Sequence, residues 1–192
     1  VGIVMDGLGL GADGTLWGGE FLLGGYGGFE RAGHFLPVAL PGGVQAMREP
    51  WRNTVAHLIA AFGDNWRERI AAPPFAGMID GKQIGIIEQM VAKGLNAPLS
   101  SSAGRLFDAV AAMLGVCAER QHYEGQAAME MEALVGDHPE DTDAYPVATE
   151  SINGTIMLSW APLWNALLED LGRGIEAGVI AGRFHAGLAD AL

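Results

Sequence analysis

Cysteine is almost missing from this chain. Cys117 stands alone, so no internal disulfide can form; a reducing, cytoplasmic setting is the expectation. Basic residues are scarce too: 11 Lys and Arg against 23 Asp and Glu leave a formal net charge of −12. Phosphate backbones and anionic membrane surfaces need clustered Lys and Arg, so neither nucleic acid nor a membrane is expected as a partner. A nucleotide stays open, because backbone amides and a metal can hold one. No apolar run reaches about 18 residues, the length a membrane-spanning helix requires. Histidines in HxxxH or HxH spacing are absent. His34, His57, His122, His138 and His185 are scattered, and none is assigned to a metal. No signal-peptide pattern is visible. Val1 opens directly in an apolar run, and the chain is expected to be a piece of a longer protein.

What is present is enough for a core: 192 residues, 49% of them hydrophobic. Apolar runs at Val1 to Met5, Thr15 to Leu23 and Phe29 to Val38 read as three strands separated by glycine-rich turns, a three-stranded antiparallel meander. After Leu40 the periodicity becomes helical. Pro50 sits at a first turn, and Trp51, Val55, Leu58, Ile59 and Phe62 follow at helical spacing. Residues 65 to 71 suggest a short helix broken by the prolines of 72 to 74. Ile84, Ile87 and Val91 mark another helix, stopped by Gly94. Serines 100 to 102 cap one carrying Leu106, Val110, Met113 and Leu114 and ending at Gly115. A helix over Gln126 to Leu134 follows. Residues 136 to 146 read as an acidic, solvated loop. "GTIMLSW" suggests a short strand, and Leu163 to Leu171 and Ile175 to Leu192 two closing helices. The expectation is one α+β domain over 1–192, with a β meander in 1–40 and a mainly helical part in 41–192.

The segment "IVMDGLGLGADGTLWGGEFLL" carries the first chemical question. Gly7, Gly9 and Ala12 fit G-x-G-x-x-G/A, but that motif needs a helix straight after the glycines to hold a pyrophosphate. Here Asp13-Gly14 signals a hairpin turn and β-like sequence follows. No Gly-Lys-Ser/Thr follows either, which removes the P-loop. Two readings remain. In one, Gly7 and Gly9 bring backbone N–H groups to phosphate oxygens and Asp6 ligates a bridging divalent metal. In the other, the segment is an ordinary glycine-rich hairpin with Asp6 capping its turn. Further on, Arg105 and Asp108 stand at i, i+3 and read as a surface ion pair or as a carboxylate for ribose hydroxyls. Gly125 suits a close backbone approach at a helix start, and Glu130 lies about one turn into that helix, where a solvated glutamate is the plainer role. Cys117 reads as an idle thiol, and His185 as a satisfied boundary histidine.

The blocks "VMDGLGLGADGTLWGGEFLL", "LPGGVQAMREPWR", "NAPLSSSAGRLFDAVAAMLG", "YEGQAAMEMEAL" and "FHAGLA" together resemble HypF-type carbamoyltransferases, in the family's order and over nearly the whole chain. The resemblance implies a partial actin-like, ribonuclease-H-like ATPase domain, of the α/β class at superfamily level. It implies ATP or carbamoyl-adenylate, through its AMP moiety, with Asp108, Gly125 and Glu130 beside the ribose. Gly7 and Gly9 would lie beside the phosphates, Gly104 would share that nucleotide site, and Asp6 would ligate a divalent metal (Mg, Fe or Zn). It implies transfer of the carbamoyl group to the C-terminal cysteine thiol of a HypE-type partner, in making the cyanide ligands of [NiFe] hydrogenase. No covalent enzyme nucleophile is required. The family's histidine-rich metal motif would precede this chain, and a second metal aspartate and an asparagine-bearing glycine segment would follow it. The chain is thus expected to hold part of the site, and a homodimer contact is a further expectation. An O-carbamoyltransferase of a tailoring pathway and a non-catalytic HypE-docking module are the alternatives.

Overall fold

The computed structural model describes residues 1–70, 81–136 and 143–192. Three strands come first: β1 (Gly2–Leu10), β2 (Leu16–Gly25) and β3 (Gly28–Phe35). They pair antiparallel in sequence order, as the alternation of apolar runs and glycine turns predicts. The turn between β1 and β2 closes where Asp13-Gly14 signals it. Asp13 Oδ1 accepts from the Thr15 amide at 2.9 Å, and Gly14 takes φ +78°.

The meander is only the centre of the sheet. β4 (Val38–Ala39), β5 (Leu99–Ser100), β6 (Ala148–Ile152) and β7 (Thr155–Ser159) extend it to seven strands in the order β4-β5-β2-β3-β7-β6, with β1 on β2. β5 joins β2 in parallel and β7 joins β3 in parallel, so the sheet is mixed. β7 falls in the expected GTIMLSW strand, while β4, β5 and β6 add strands to the part read as mainly helical. The added strands are short, and β4 and β5 have two residues each, too few to show a period-2 pattern.

The helices are α1 (Val44–Arg48), α2 (Trp51–Phe62), α3 (Trp66–Arg69), α4 (Gly81–Lys93), α5 (Ala103–Met113), α6 (Gln126–Val135), α7 (Ala161–Gly172) and α8 (Ala177–Ala191). Their boundaries follow local chemistry. Pro50 opens α2, Gly63 closes it at φ +57°, and Gly94 follows α4 at φ +62°. The prolines at 73 and 74 and most of the acidic loop lie outside the described residues.

α5 sits at the centre of the core. Leu106, Ala109, Val110, Ala111, Ala112 and Met113 are all buried. Thr54 on α2 donates its hydroxyl to the Ala109 carbonyl at 2.9 Å, a close approach that the small alanines of α5 permit. Phe35, Trp51, Trp66, Trp160 and Trp164 fill the same core, with the Phe35 and Trp160 rings edge to face at 4.6 Å. Trp17 is the tryptophan left at the surface: the Arg31 guanidinium lies 4.3 Å over its ring. Among the described residues no helix is long and apolar enough to cross a membrane.

Candidate functional site

The glycine segment is a bulged strand, not a loop. β1 pairs with β2 from Gly2↔Leu22 to Met5↔Gly19 and resumes at Gly9↔Trp17, so four steps on β1 face two on β2. Asp6, Gly7 and Leu8 therefore stand out of register. Glycine inside a strand pattern is the signal for this geometry.

The bulge is pressed onto the first turn of α5. Ser102 caps that helix, its Oγ accepting from the Arg105 amide at 3.1 Å while its hydroxyl donates to the Gly7 carbonyl. The fit is tight enough to demand glycine. A Cβ on Gly104 would stand 2.9 Å from Gly7 Cα, and one on Gly18 would stand 2.6 Å from the Asp6 carbonyl oxygen. Asp6 is exposed, and its Oδ1 accepts from the Gly7 amide at 2.6 Å. Gly9 lies on the other side of this carboxylate, where a Cβ would be 3.8 Å from Asp6 Oδ2. Asp6, Gly7, Gly9 and Gly104 are thus brought together, with the Gly7 amide taken by the Asp6 carboxylate.

Beside the bulge is a cleft of about 190 Å³, lined by Val44, Met47 and Arg48 of α1, Arg105 of α5, and Gln121, His122, Tyr123 and Glu124 ahead of α6. Glu124 joins the two features, because a Cβ on Gly7 would lie 3.2 Å from its Oε1. Asp108 does not line the cleft. It is buried, with Arg105 Nη2 at 3.0 Å from its Oδ2 and Gln121 Nε2 at 3.4 Å from both oxygens. The Arg105–Asp108 pair is therefore internal, where the i, i+3 spacing alone suggests the surface. Burial raises the Asp108 carboxyl to about 6, outweighing the opposite pull of Arg105 and Gln121. Gln121 ties the cleft wall together: it donates to the Met47 carbonyl, and its Oε1 accepts from the Ala127 amide at 3.3 Å.

Gly125 takes φ +77° as the N-cap of α6, a left-handed conformation that glycine adopts without strain. It follows directly on Glu124 at the cleft. Glu130 is exposed and farther along α6; it accepts from Gln126 Nε2 at 2.8 Å and from the Cys117 thiol at 3.2 Å. Partial burial and the neighbouring Glu130 carboxylate push the Cys117 thiol up to about 11. Gln121 and Glu124 are cleft residues that spacing alone does not mark, since the cleft is assembled from segments far apart in the chain. Among the described residues no three of His, Cys, Asp and Glu converge to hold a metal ion.

These features coincide with a known family. The family model described as "Carbamoyltransferase, Kae1-like Domain, second subdomain" matches residues 2–192. Carbamoyltransferase HypF of Rhodobacter capsulatus is 47% identical over 192 residues, covering 99% of this chain and 23% of that protein. Among solved structures, full-length HypF in a phosphate- and nucleotide-bound form superposes with a TM-score of 0.87 at 29% identity, covering 100% of this chain and 28% of that one. HypF of T. kodakarensis superposes at 0.79 with 32% identity, covering 99% of this chain and 25% of that one. The fold is thus the α+β architecture of a Kae1-like carbamoyltransferase subdomain. The chain belongs to the HypF carbamoyltransferase family, and it spans about a quarter of the length of the relatives it matches.

Proposed function

We propose that residues 1–192 act as one domain, part of the carbamoyl-transfer machinery of a HypF-type enzyme. On this reading the whole protein moves the carbamoyl group of carbamoyl-adenylate to the C-terminal cysteine thiol of a HypE-type partner, in cyanide-ligand synthesis for [NiFe] hydrogenase. A C–S bond forms at the carbamoyl carbon as its bond to the phosphate oxygen breaks. AMP departs with the electron pair, and the thiol gives up its proton to become the attacking thiolate. The part played by this chain is binding and positioning. The observation that carries the reading is the seat of the Asp6–Leu8 bulge on the capped start of α5, beside a cleft, in a chain 47% identical to a carbamoyltransferase HypF.

Within that reading Gly7, Gly9 and Gly104 hold the phosphate and Gly125 and Glu130 the ribose, with buried Asp108 acting on the ribose site through Arg105 and Gln121. Asp6 would supply at most one ligand to a divalent metal, because the described residues do not assemble the rest of a coordination shell around it. Cys117 is unsuited to covalent catalysis, because a thiol held near 11 is scarcely ionised at neutral pH. The names of the relatives favour this reading over a sugar-directed O-carbamoyltransferase. A docking module without nucleotide dependence is the remaining alternative.

The test is calorimetric titration of the full-length protein with adenosine, which carries the ribose without a phosphate. Asp108→Asn is expected to weaken adenosine at least tenfold, about 1.4 kcal/mol. Equal affinity in the two proteins removes Asp108 from the ribose site. Failure of either to bind adenosine or AMP favours the docking module.

A further inference from the structure

Arg105 is buried, with 7% of its side chain exposed, and it is only partly used. Its Nη2 meets Asp108, but the buried Nε and Nη1 have no hydrogen-bond partner among the described residues. Buried donors without partners are rare in folded proteins, and each costs on the order of 1–3 kcal/mol. These two belong to a side chain that forms part of the wall of the cleft. Arg48, exposed on α1, supplies a second cation to the same cleft. Arg48 and Arg105 thus face one concavity. The opposing charges are Asp108, which occupies one side of Arg105, and Glu124, which leans toward Gly7. His122 lines the cleft as well and adds no negative charge.

A planar guanidinium with free N–H groups selects an oxyanion, because phosphate and carboxylate oxygens accept several such bonds at once. We propose that the cleft between α1 and the segment leading into α6 is an oxyanion site, with Arg105 as its receptor and Arg48 at its mouth. The ligand group is a phosphate or a carboxylate: either the phosphoryl group of a nucleotide or the terminal carboxylate of a peptide. Asp108 is then the residue that positions Arg105. The proposal rests on the reading of this chain as part of a transferase, but it concerns a different contact from the ribose assignment.

The experiment is calorimetric titration of the full-length protein with inorganic phosphate, comparing wild type, Arg105→Lys and Arg48→Gln. Phosphate binding elsewhere in the whole protein is untouched by these changes, so the difference isolates the cleft. Arg105→Lys keeps the charge and loses the fork, and a loss of at least tenfold is expected. Arg48→Gln, at an exposed position that cannot disrupt the core, is expected to weaken phosphate two- to fivefold and to reduce the salt dependence. If Arg105→Lys does not fold, Arg48→Gln decides, together with diffraction from phosphate-soaked crystals, where the anion must lie within hydrogen-bond distance of Arg105. Displacement of the phosphate by AMP assigns the site to a nucleotide. Displacement by N-acetylglycine and not by AMP assigns it to a peptide carboxyl terminus. Identical phosphate affinity in all three proteins overturns the proposal. Adenosine run in parallel separates the two ideas: loss of phosphate with adenosine unchanged leaves the ribose reading standing, and the reverse leaves only that reading.

Discussion

Asp108 and His57 are both buried, and they titrate in opposite senses. Burial holds the Asp108 carboxyl at about 6, above the ordinary 3.8. Between those values the folded chain keeps a proton that the unfolded chain has released. Its stabilising contribution is therefore complete below about pH 4 and is lost as the pH rises through 6. His57 is pushed down by burial from 6.5 to about 3. The unfolded chain takes up that proton first, so its contribution is complete above 6.5 and is lost as the pH falls toward 3. Urea denaturation between pH 4 and 7 checks both. The stability of Asp108→Asn relative to wild type is expected to rise with pH by about 1–3 kcal/mol over that window. The relative stability of His57→Leu is expected to change by a similar amount in the opposite direction. A flat difference for either variant contradicts the environment described for that side chain. Residue identity alone does not disclose these shifts: the Arg105–Asp108 spacing is visible in the sequence, but its burial depends on α2, α6 and Gln121 packing against α5.

At the scale of elements, the contact that matters is between the β1 bulge and α5. Glycine serves opposite ends at two helical positions. Gly104 admits the Gly7 backbone, and a Cβ there meets Gly7 Cα at 2.9 Å. Gly85, inside α4, has open space where a Cβ would stand, with nothing within 4 Å, and no left-handed backbone requirement. Gly104→Ala is accordingly expected to destabilise by about 1–3 kcal/mol, since backbone must move. Gly85→Ala is expected to stabilise by about 0.5–1 kcal/mol through helix propensity. Thermal or urea melts of the two variants give the comparison, and equal effects would remove the close-approach argument. Helix positions are legible from the sequence because caps and 3.6-residue periodicity are local. Pro50, Gly63 and Ser102 mark the boundaries directly. The strand character of Asp6 to Leu10 is less legible, because a bulge breaks the alternation on which a strand reading depends.

At the scale of the whole molecule, the sheet leaves β1 at an edge among the described residues. Ile3, Val4, Met5 and Leu10 are exposed along a strand whose pairing is with β2. An unpaired apolar edge is a template for further strand pairing. This chain in isolation is expected to associate with rising concentration in sedimentation velocity. Ile3→Lys with Met5→Lys, on one face of the strand, is expected to suppress that association. Association unchanged by the double substitution places the contact elsewhere.

The sequence by itself determined the three-stranded meander, the succession of main helices, the hairpin at Asp13-Gly14, the helix caps and the family to which the chain belongs. Each depends on neighbours along the chain or on ordered blocks of residues. Only the tertiary structure decided that β4, β5 and β6 join the expected β7 in completing the sheet, that Asp108 is internal, and that Arg105 has unmet donors beside a cleft. Parallel pairing, burial and unmet hydrogen bonds arise when segments such as α1, α5 and the lead into α6 meet in space. No local period or spacing records that meeting.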